Sequence, residues 1–187
     1  MEVIVVLLNI RSVYNVASIF RTADGAGVSK IYLVGATPTP LDRFGKFRAD
    51  FSKVALGAEQ TVEWEYFKNF GAVYKKLKSA GGRNEILAVE QDKKAIPYYE
   101  YKMKPIRQAQ GENKRVALIF GEETKGLPKS VLNKADKILE IPMRGKMVRQ
   151  AHHPKNEKTL KLRGKESLNV SVATGILVYY IMVGHNE

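Results

Sequence analysis

The sequence predicts an α/β fold, a mostly parallel sheet flanked by helices, and two observations carry that expectation. Five short apolar runs, at residues 3–8, 30–35, 85–89, 116–121 and 138–141, are rich in Val, Ile and Leu. They lack the polar alternation of a half-exposed strand, so each reads as a strand buried on both faces. Stretches of helical apolar spacing lie between them, the pattern that builds a parallel sheet covered by helices on each side.

Taken in order, residues 3–8 form the first strand. The run is only six residues long and follows Glu2 rather than a positively charged region, which argues against an export signal. Next, Val16, Ile19, Phe20 and Ala23 recur at helical spacing, with Asn15 offered as an N-cap and Gly25 and Gly27 as helix-ending positions. After the strand at 30–35, residues 36–52 carry prolines and scattered charges and read as a long loop. A second amphipathic helix is predicted over 66–77, ending before Gly81-Gly82, and a short one after Pro128 that carries Val131 and Leu132. The closing run, Ser167-Leu-Asn-Val-Ser-Val-Ala-Thr-Gly-Ile-Leu177, is an almost unbroken apolar helix. Ser167 is suited to cap it, which places a serine and an asparagine at a helix N-terminus.

At 187 residues the chain is most economically one domain. Lysine and arginine number 31 against 19 acids, a formal charge of +12, so a polyanionic partner is expected and nucleic acid leads. Zero cysteines exclude a disulfide framework, a zinc ribbon and thiol catalysis. The lack of cysteines makes the cytoplasm the natural location, and no stretch approaches ~18 uninterrupted apolar residues, so no membrane span is expected. The pair His152-His153 has no accompanying carboxylate cluster, and no metal site is expected. Asn169-Val-Ser171 matches a glycosylation sequon but lies inside the terminal apolar helix.

Two familiar nucleotide fingerprints fail. Gly25-Ala-Gly27 precedes a strand instead of following one, and Gly121-Glu-Glu-Thr-Lys-Gly126 lacks the Lys-Ser/Thr pair of a phosphate-binding loop. Gly121 does follow a strand, however, and the carboxyl ends of strands are where open α/β sheets bind ligands.

Three collinear segments resemble the SPOUT RNA methyltransferases of the TrmH (SpoU) family. Asn9-Ile-Arg-Ser-Val-Tyr-Asn15-Val-Ala-Ser-Ile-Phe-Arg21 is similar to the family's first motif, with its asparagine and, six residues on, its arginine. Ile119-Phe-Gly121-Glu-Glu123-Thr-Lys-Gly126-Leu-Pro128 resembles the second, although Glu122 departs from the small or amide residue the family places there. Ile141-Pro-Met143 and Ser167-Leu-Asn169 resemble the two halves of the third, and Lys53-Val-Ala-Leu-Gly-Ala-Glu59 a stretch between the first two. The resemblance implies a C-terminal trefoil knot, an exception to the rule that chains do not thread their own loops. It implies a homodimer, S-adenosylmethionine as cofactor, and methyl transfer to a ribose 2′-oxygen of tRNA or rRNA. By the same resemblance Val89, Gly121, Ile141, Met143 and Leu168 would line the cofactor pocket, and Asn15, Arg21, Glu123, Ser167 and Asn169 would surround the reacting hydroxyl.

The chemistry agrees with those residue types. A ribose hydroxyl is a very weak acid, so its oxygen must be deprotonated or strongly polarised and held in line with the methyl group. An arginine is a poor proton acceptor, which suits Arg21 to stabilising oxyanion charge and holding a phosphate. Glu123 or a substrate phosphate is left to take the proton. Lying beside Phe20 at the edge of the apolar stripe, Arg21 is expected to be partly buried and partnered.

The third motif is interrupted. Arg144-Gly-Lys146 recurs as Arg163-Gly-Lys165, and removing residues 147–165 leaves Ile-Pro-Met-Arg-Gly-Lys-Glu-Ser-Leu-Asn without a break. Residues 147–165 therefore read as an inserted loop within the single domain. The span 144–166 holds eight basic residues against two acids, a net +6. Three outcomes are open at this level: a passive loop, a basic arm that contacts RNA, or a disruption that leaves an RNA-binding protein of the same fold with impaired catalysis. With the first motif so near residue 1, substrate choice is expected to rest on the core, its dimer surface and, where it contacts RNA, the insertion.

Overall fold

The computed structural model describes residues 1–79, 84–102, 115–143 and 167–183. In chain order its elements are β1 (Glu2–Leu8), α1 (Val13–Ala26), β2 (Lys30–Val34), α2 (Ala49–Ala55), α3 (Ala58–Thr61), β3 (Trp64–Phe67), α4 (Phe70–Ser79), β4 (Asn84–Val89), β5 (Ile96–Pro97), β6 (Arg115–Phe120), α5 (Lys129–Leu132), β7 (Lys137–Glu140) and α6 (Val170–Val183). The strands form one seven-stranded sheet in the order β3-β2-β1-β6-β4-β7-β5, and every pairing is parallel.

Both faces of the sheet are covered, which explains why the strand sequences do not alternate. From β1, Val3, Val5 and Leu7 point to a layer made by α1, α2 and α6, where Phe20, Phe51 and Leu177 are wholly buried. The alternate residues Ile4, Val6 and Leu8 point to a second layer containing Phe70, Val73 and Leu77 of α4 and Val131 of α5. Truncating a central residue such as Leu7 to alanine costs about 2–5 kcal/mol on the general scale for buried leucines.

Several local expectations are corrected. Helix α1 begins at Val13 and is capped by Ser12, whose Oγ accepts the Asn15 N–H at 3.2 Å, so Asn15 sits inside the first turn and its carboxamide is free for other use. Gly27 ends the helix at φ 75°, whereas Gly25 is helical. The helix expected over 66–77 starts at Phe70 instead. Tyr66 and Phe67 pair with Leu33 and Val34 as part of β3, and Phe67 packs edge-on against Tyr32 with ring centroids 5.0 Å apart. Sheet pairing thus overrides an apparent helical period. Most of the loop at 36–52 is irregular, but its last residues open α2, held by Phe51 against Phe20 at 5.2 Å. At the far end, α6 begins at Val170 and Asn169, not Ser167, caps it by accepting the Ser171 N–H at 2.9 Å.

Strand β7 lies between β4 and β5, which are consecutive in the chain. The inserted segment 147–165, its flanks and His152-His153 lie outside the described residues. Among the described residues no helix is long and apolar enough to cross a membrane, and no three acidic, histidine or cysteine side chains gather as a metal site.

Candidate active site

The carboxyl ends of β4, β6 and β7 open into a cleft of about 340 Å³. Parallel strands end here with unpaired backbone groups, the general reason such edges bind ligands. Val89, Glu90 and Gln91 come from the end of β4, Phe120 to Gly126 from β6 and its loop, and Glu140, Ile141 and Met143 from β7. Ser167, Leu168, Val170 and Ala173 close it from the start of α6. All five residues expected to line a cofactor pocket, Val89, Gly121, Ile141, Met143 and Leu168, face this cleft. Met143 and Ser167, on either side of the interruption in the third motif, meet there as well.

Its floor depends on two glycines. A Cβ at Gly121 would lie 2.7 Å from the carbonyl carbon of Gly126 and 2.8 Å from the Leu127 nitrogen, so only glycine lets the end of β6 meet the returning loop. Gly126 has φ +63°, and a Cβ there would fall 2.2 Å from a carboxylate oxygen of Glu90. That same oxygen accepts the Leu127 N–H at 2.6 Å, so Glu90 clasps the loop after β6. Sequence reasoning stopped one residue short, at Val89, and no local signal marked Glu90. Glu122, the residue that departs from the family pattern, is paired with Arg11 of the first motif at 3.5 Å, while its carbonyl accepts the Gly126 N–H at 2.9 Å.

The lining carries four glutamates, Glu90, Glu122, Glu123 and Glu140, against one lysine, Lys125. In a chain of formal charge +12 the cleft is therefore locally acidic. Such a lining suits a cationic ligand of this size.

At the mouth, three residues far apart in sequence join in one hydrogen-bond chain. Asn15 Nδ2 donates to Glu123 Oε1 at 2.5 Å, and Asn169 Nδ2 donates to Asn15 Oδ1 at 3.1 Å. Asn169 Oδ1 in turn accepts from Ser171 N and Oγ at 2.9 and 2.6 Å. Each carboxamide is thus used at both ends, which fixes its orientation and leaves Glu123 a second oxygen. Helices α1 and α6 run side by side in the same direction, with Thr22 beside Gly175 and Gly25 beside Tyr179, so their starts deliver Asn15 and Asn169 together.

Thr37, buried to 3% exposure, holds the turn that leads into α1. Its hydroxyl accepts the Ile10 N–H at 3.1 Å and lies 2.8 Å from the Leu7 carbonyl. Lying in a presumed loop, it too escaped notice.

Of the five residues expected around the reacting hydroxyl, Asn15, Glu123 and Asn169 are bonded together, and Glu123 and Ser167 line the cleft. Arg21 is not among them. It lies six residues beyond Asn15, ~9 Å along the helix axis. Contrary to expectation it is exposed, and among the described residues it has no hydrogen-bonding or ionic partner. The apolar stripe of α1 passes through Val16, Ala17, Ile19, Phe20 and Ala23 and leaves Arg21 just outside it.

Comparison with known proteins places this geometry. The model of the SpoU rRNA Methylase family matches residues 2–149. The 23S rRNA (guanosine-2′-O-)-methyltransferase RlmB of Escherichia coli strain K12 is 27% identical over 176 residues, 94% of this chain and 58% of that protein. The chain therefore spans less than two thirds of the curated relatives it matches. The AdoMet-bound rRNA methyltransferase of Sinorhizobium meliloti superposes with a TM-score of 0.70 at 25% identity, covering 100% of this chain and 57% of the other. The A. aeolicus TrmH/SpoU tRNA modifying enzyme gives a TM-score of 0.67 at 26% identity, with coverage of 95% and 72%.

Proposed function

This chain belongs to the SpoU rRNA methylase family, and from that premise we propose that it is an S-adenosylmethionine-dependent RNA ribose 2′-O-methyltransferase of the cytoplasm. The observation that carries the reading is the acidic cleft at the ends of β4, β6 and β7, bordered at its mouth by the chain Asn169–Asn15–Glu123.

The residues present fit the cofactor. Its sulfonium and ammonium groups suit a lining of four glutamates and one lysine, and the close approach at Gly121 and Gly126 exposes backbone where a side chain would intrude. Val89, Gly121, Ile141, Met143 and Leu168 would hold it, and bound there it supplies an electrophilic methyl group. The chain's own residues do the rest. Glu123, oriented by Asn15, would present its other oxygen to the 2′-hydroxyl and receive that hydroxyl's proton. Ser167 and Asn169 border the hydroxyl from the start of α6, whose positive end favours developing negative charge. Arg21 supplies positive charge for the oxyanion and for a neighbouring phosphate.

The active species in this reading is a homodimer. Val172, Tyr179 and Val183 are 50%, 47% and 61% exposed and fall at helical spacing along one side of α6, and on the neighbouring α1 Tyr14 is exposed as well. An apolar stripe of this length on a soluble surface marks an interaction face. Tyr14 and Arg21, seven residues apart, share one side of α1, so a second copy covering the stripe would also border the guanidinium. Replacing Val172 and Tyr179 with glutamate should yield monomers by light scattering and remove methyl transfer, while cofactor binding survives.

The position of β7 between β4 and β5 supports a knotted C-terminal path. The competing reading, an RNA-binding protein with catalysis lost through the insertion, is disfavoured by the convergence of Met143 and Ser167 on one cleft. Incubation with radiolabelled S-adenosylmethionine and bulk RNA separates the two. Label recovered in alkali-stable dinucleotides, which a 2′-O-methyl group protects from cleavage, supports 2′-O-transfer, and RNA binding without incorporation supports the alternative.

A further inference from the structure

The acidic cleft cannot be what attracts a polyanion, so the charge that holds RNA must sit elsewhere on the molecule. A second cavity of about 280 Å³ opens at the same edge of the sheet, between the ends of β1 and β2 and the starts of α4 and α5. Its lining includes Lys68 and Lys134, the polar side chains of Asn9, Asn69 and Ser130, and no carboxylate. Among the described residues neither lysine has an ionic partner; Lys134 Nζ lies 5.0 Å from the centroid of the Tyr74 ring, which steadies it without neutralising it. Asn9 adopts φ 58°, and its Oδ1 accepts the Ala36 N–H at 3.0 Å, which leaves its NH2 group as a donor at the cavity. Asn9 opens the first motif yet has no part in the cleft described above.

We propose that this cavity binds a backbone phosphate of the substrate RNA, next to the nucleotide whose ribose enters the cleft. The proposal rests on the RNA methyltransferase reading and adds where the strand is held. Two cations, amide and hydroxyl donors and no acid form the donor set a phosphodiester requires. Position supports it as well. The order β2-β1-β6-β4 puts the two openings ~12 Å apart at ~4.8 Å per strand, within reach of a nucleotide flanking the target. The segment after β6 connects them directly: Gly126 lines the cleft, and Pro128 lines the second cavity.

The test is RNA affinity as a function of salt for the full chain carrying K68A and K134A together. The expected result is a loss of roughly ten-fold at low salt, with a log–log salt slope shallower by about 1.4, or ~0.7 for each lost phosphate contact on single-stranded RNA. Affinity for S-adenosylmethionine and the melting temperature should not change, and K68R with K134R should restore binding. K53A with K75A, exposed lysines that line neither cavity, serves as the charge-matched control. An unchanged affinity and slope in K68A/K134A, or an equal loss in the control, overturns the phosphate site while leaving the enzymatic reading intact. Failure of the unaltered protein to bind RNA at all overturns both. Adenosine monophosphate binding that disappears in K68A/K134A while RNA binding persists would make this a free-nucleotide site and also overturn the proposal.

Discussion

The cluster Asn15–Glu123–Asn169 and the guanidinium of Arg21 belong to the same expected site, yet the fold treats them in opposite ways. The cluster is assembled from α1, the loop after β6 and the approach to α6, and each member is hydrogen-bonded to another. Arg21 sits six residues further along α1, exposed, with no partner among the described residues. A single chain thus preorganises the part that orients a carboxylate beside the cleft and leaves the cationic part to be positioned by what arrives. In the proposed reaction a fixed cluster would need no reorganisation, whereas an exposed arginine would be free to follow a docking phosphate.

That contrast can be broken at several points. The largest effect should come from Arg21→Ala: initial rates of methyl transfer falling at least 100-fold, the loss typical of a missing oxyanion donor. Because the side chain is exposed, thermal denaturation should move by no more than a surface substitution does, about 0.5 kcal/mol. Retained turnover would remove Arg21 from the chemistry and leave the cluster as the whole site. Gly126→Ala should come next. The new Cβ would collide with the Glu90 carboxylate at a backbone angle that favours glycine, and strain of about 1–3 kcal/mol should weaken cofactor binding in calorimetry by roughly ten-fold. Asn15→Ala and Asn169→Ala should each slow turnover by about ten-fold, and the double variant by much less than the product, because the two share one hydrogen-bond chain. Full additivity would mean that the contact is incidental. The smallest effect is expected from Thr37→Val, which leaves the Ile10 N–H buried without its acceptor. Denaturant unfolding should show a loss of about 1–2 kcal/mol with little change in rate.

The sequence made the sheet legible because buried parallel strands write themselves as unbroken Val, Ile and Leu runs, and all five predicted runs correspond to β1, β2, β4, β6 and β7. The two edge strands were not legible. β3 is only four residues, three of them aromatic, and runs close to a true helix, and β5 is the pair Ile96–Pro97. Their pairing is decided by the strand already beside them, not by their own pattern. At the cleft, Val89, Gly121, Ile141, Met143 and Leu168, read from the resemblance to the family, share one lining, since a motif records which strand end a residue follows. What no motif recorded was Glu90, whose role depends on a loop 37 residues away, or Thr37, whose role depends on Ile10, 27 residues before it. The exposure of Arg21 was missed for a different reason: one step around a helix separates a buried position from an open one, and apolar spacing alone does not resolve that step.

Strand β1 precedes every other described element, yet it pairs on one side with β6, matching Glu2 to Arg115, and the hydrogen bond between Asn15 and Asn169 spans 154 positions. Contacts of such separation form only after most of the polypeptide is available, and they slow folding because long loops must close first. On a ribosome the nascent chain would therefore hold an incomplete sheet until residue 120 or so had emerged, and an unfinished Asn15–Glu123–Asn169 cluster until the start of α6 followed. A chain cut short before the approach to α6 would lack Asn169 and with it the far end of the hydrogen-bond chain through Asn15 to Glu123.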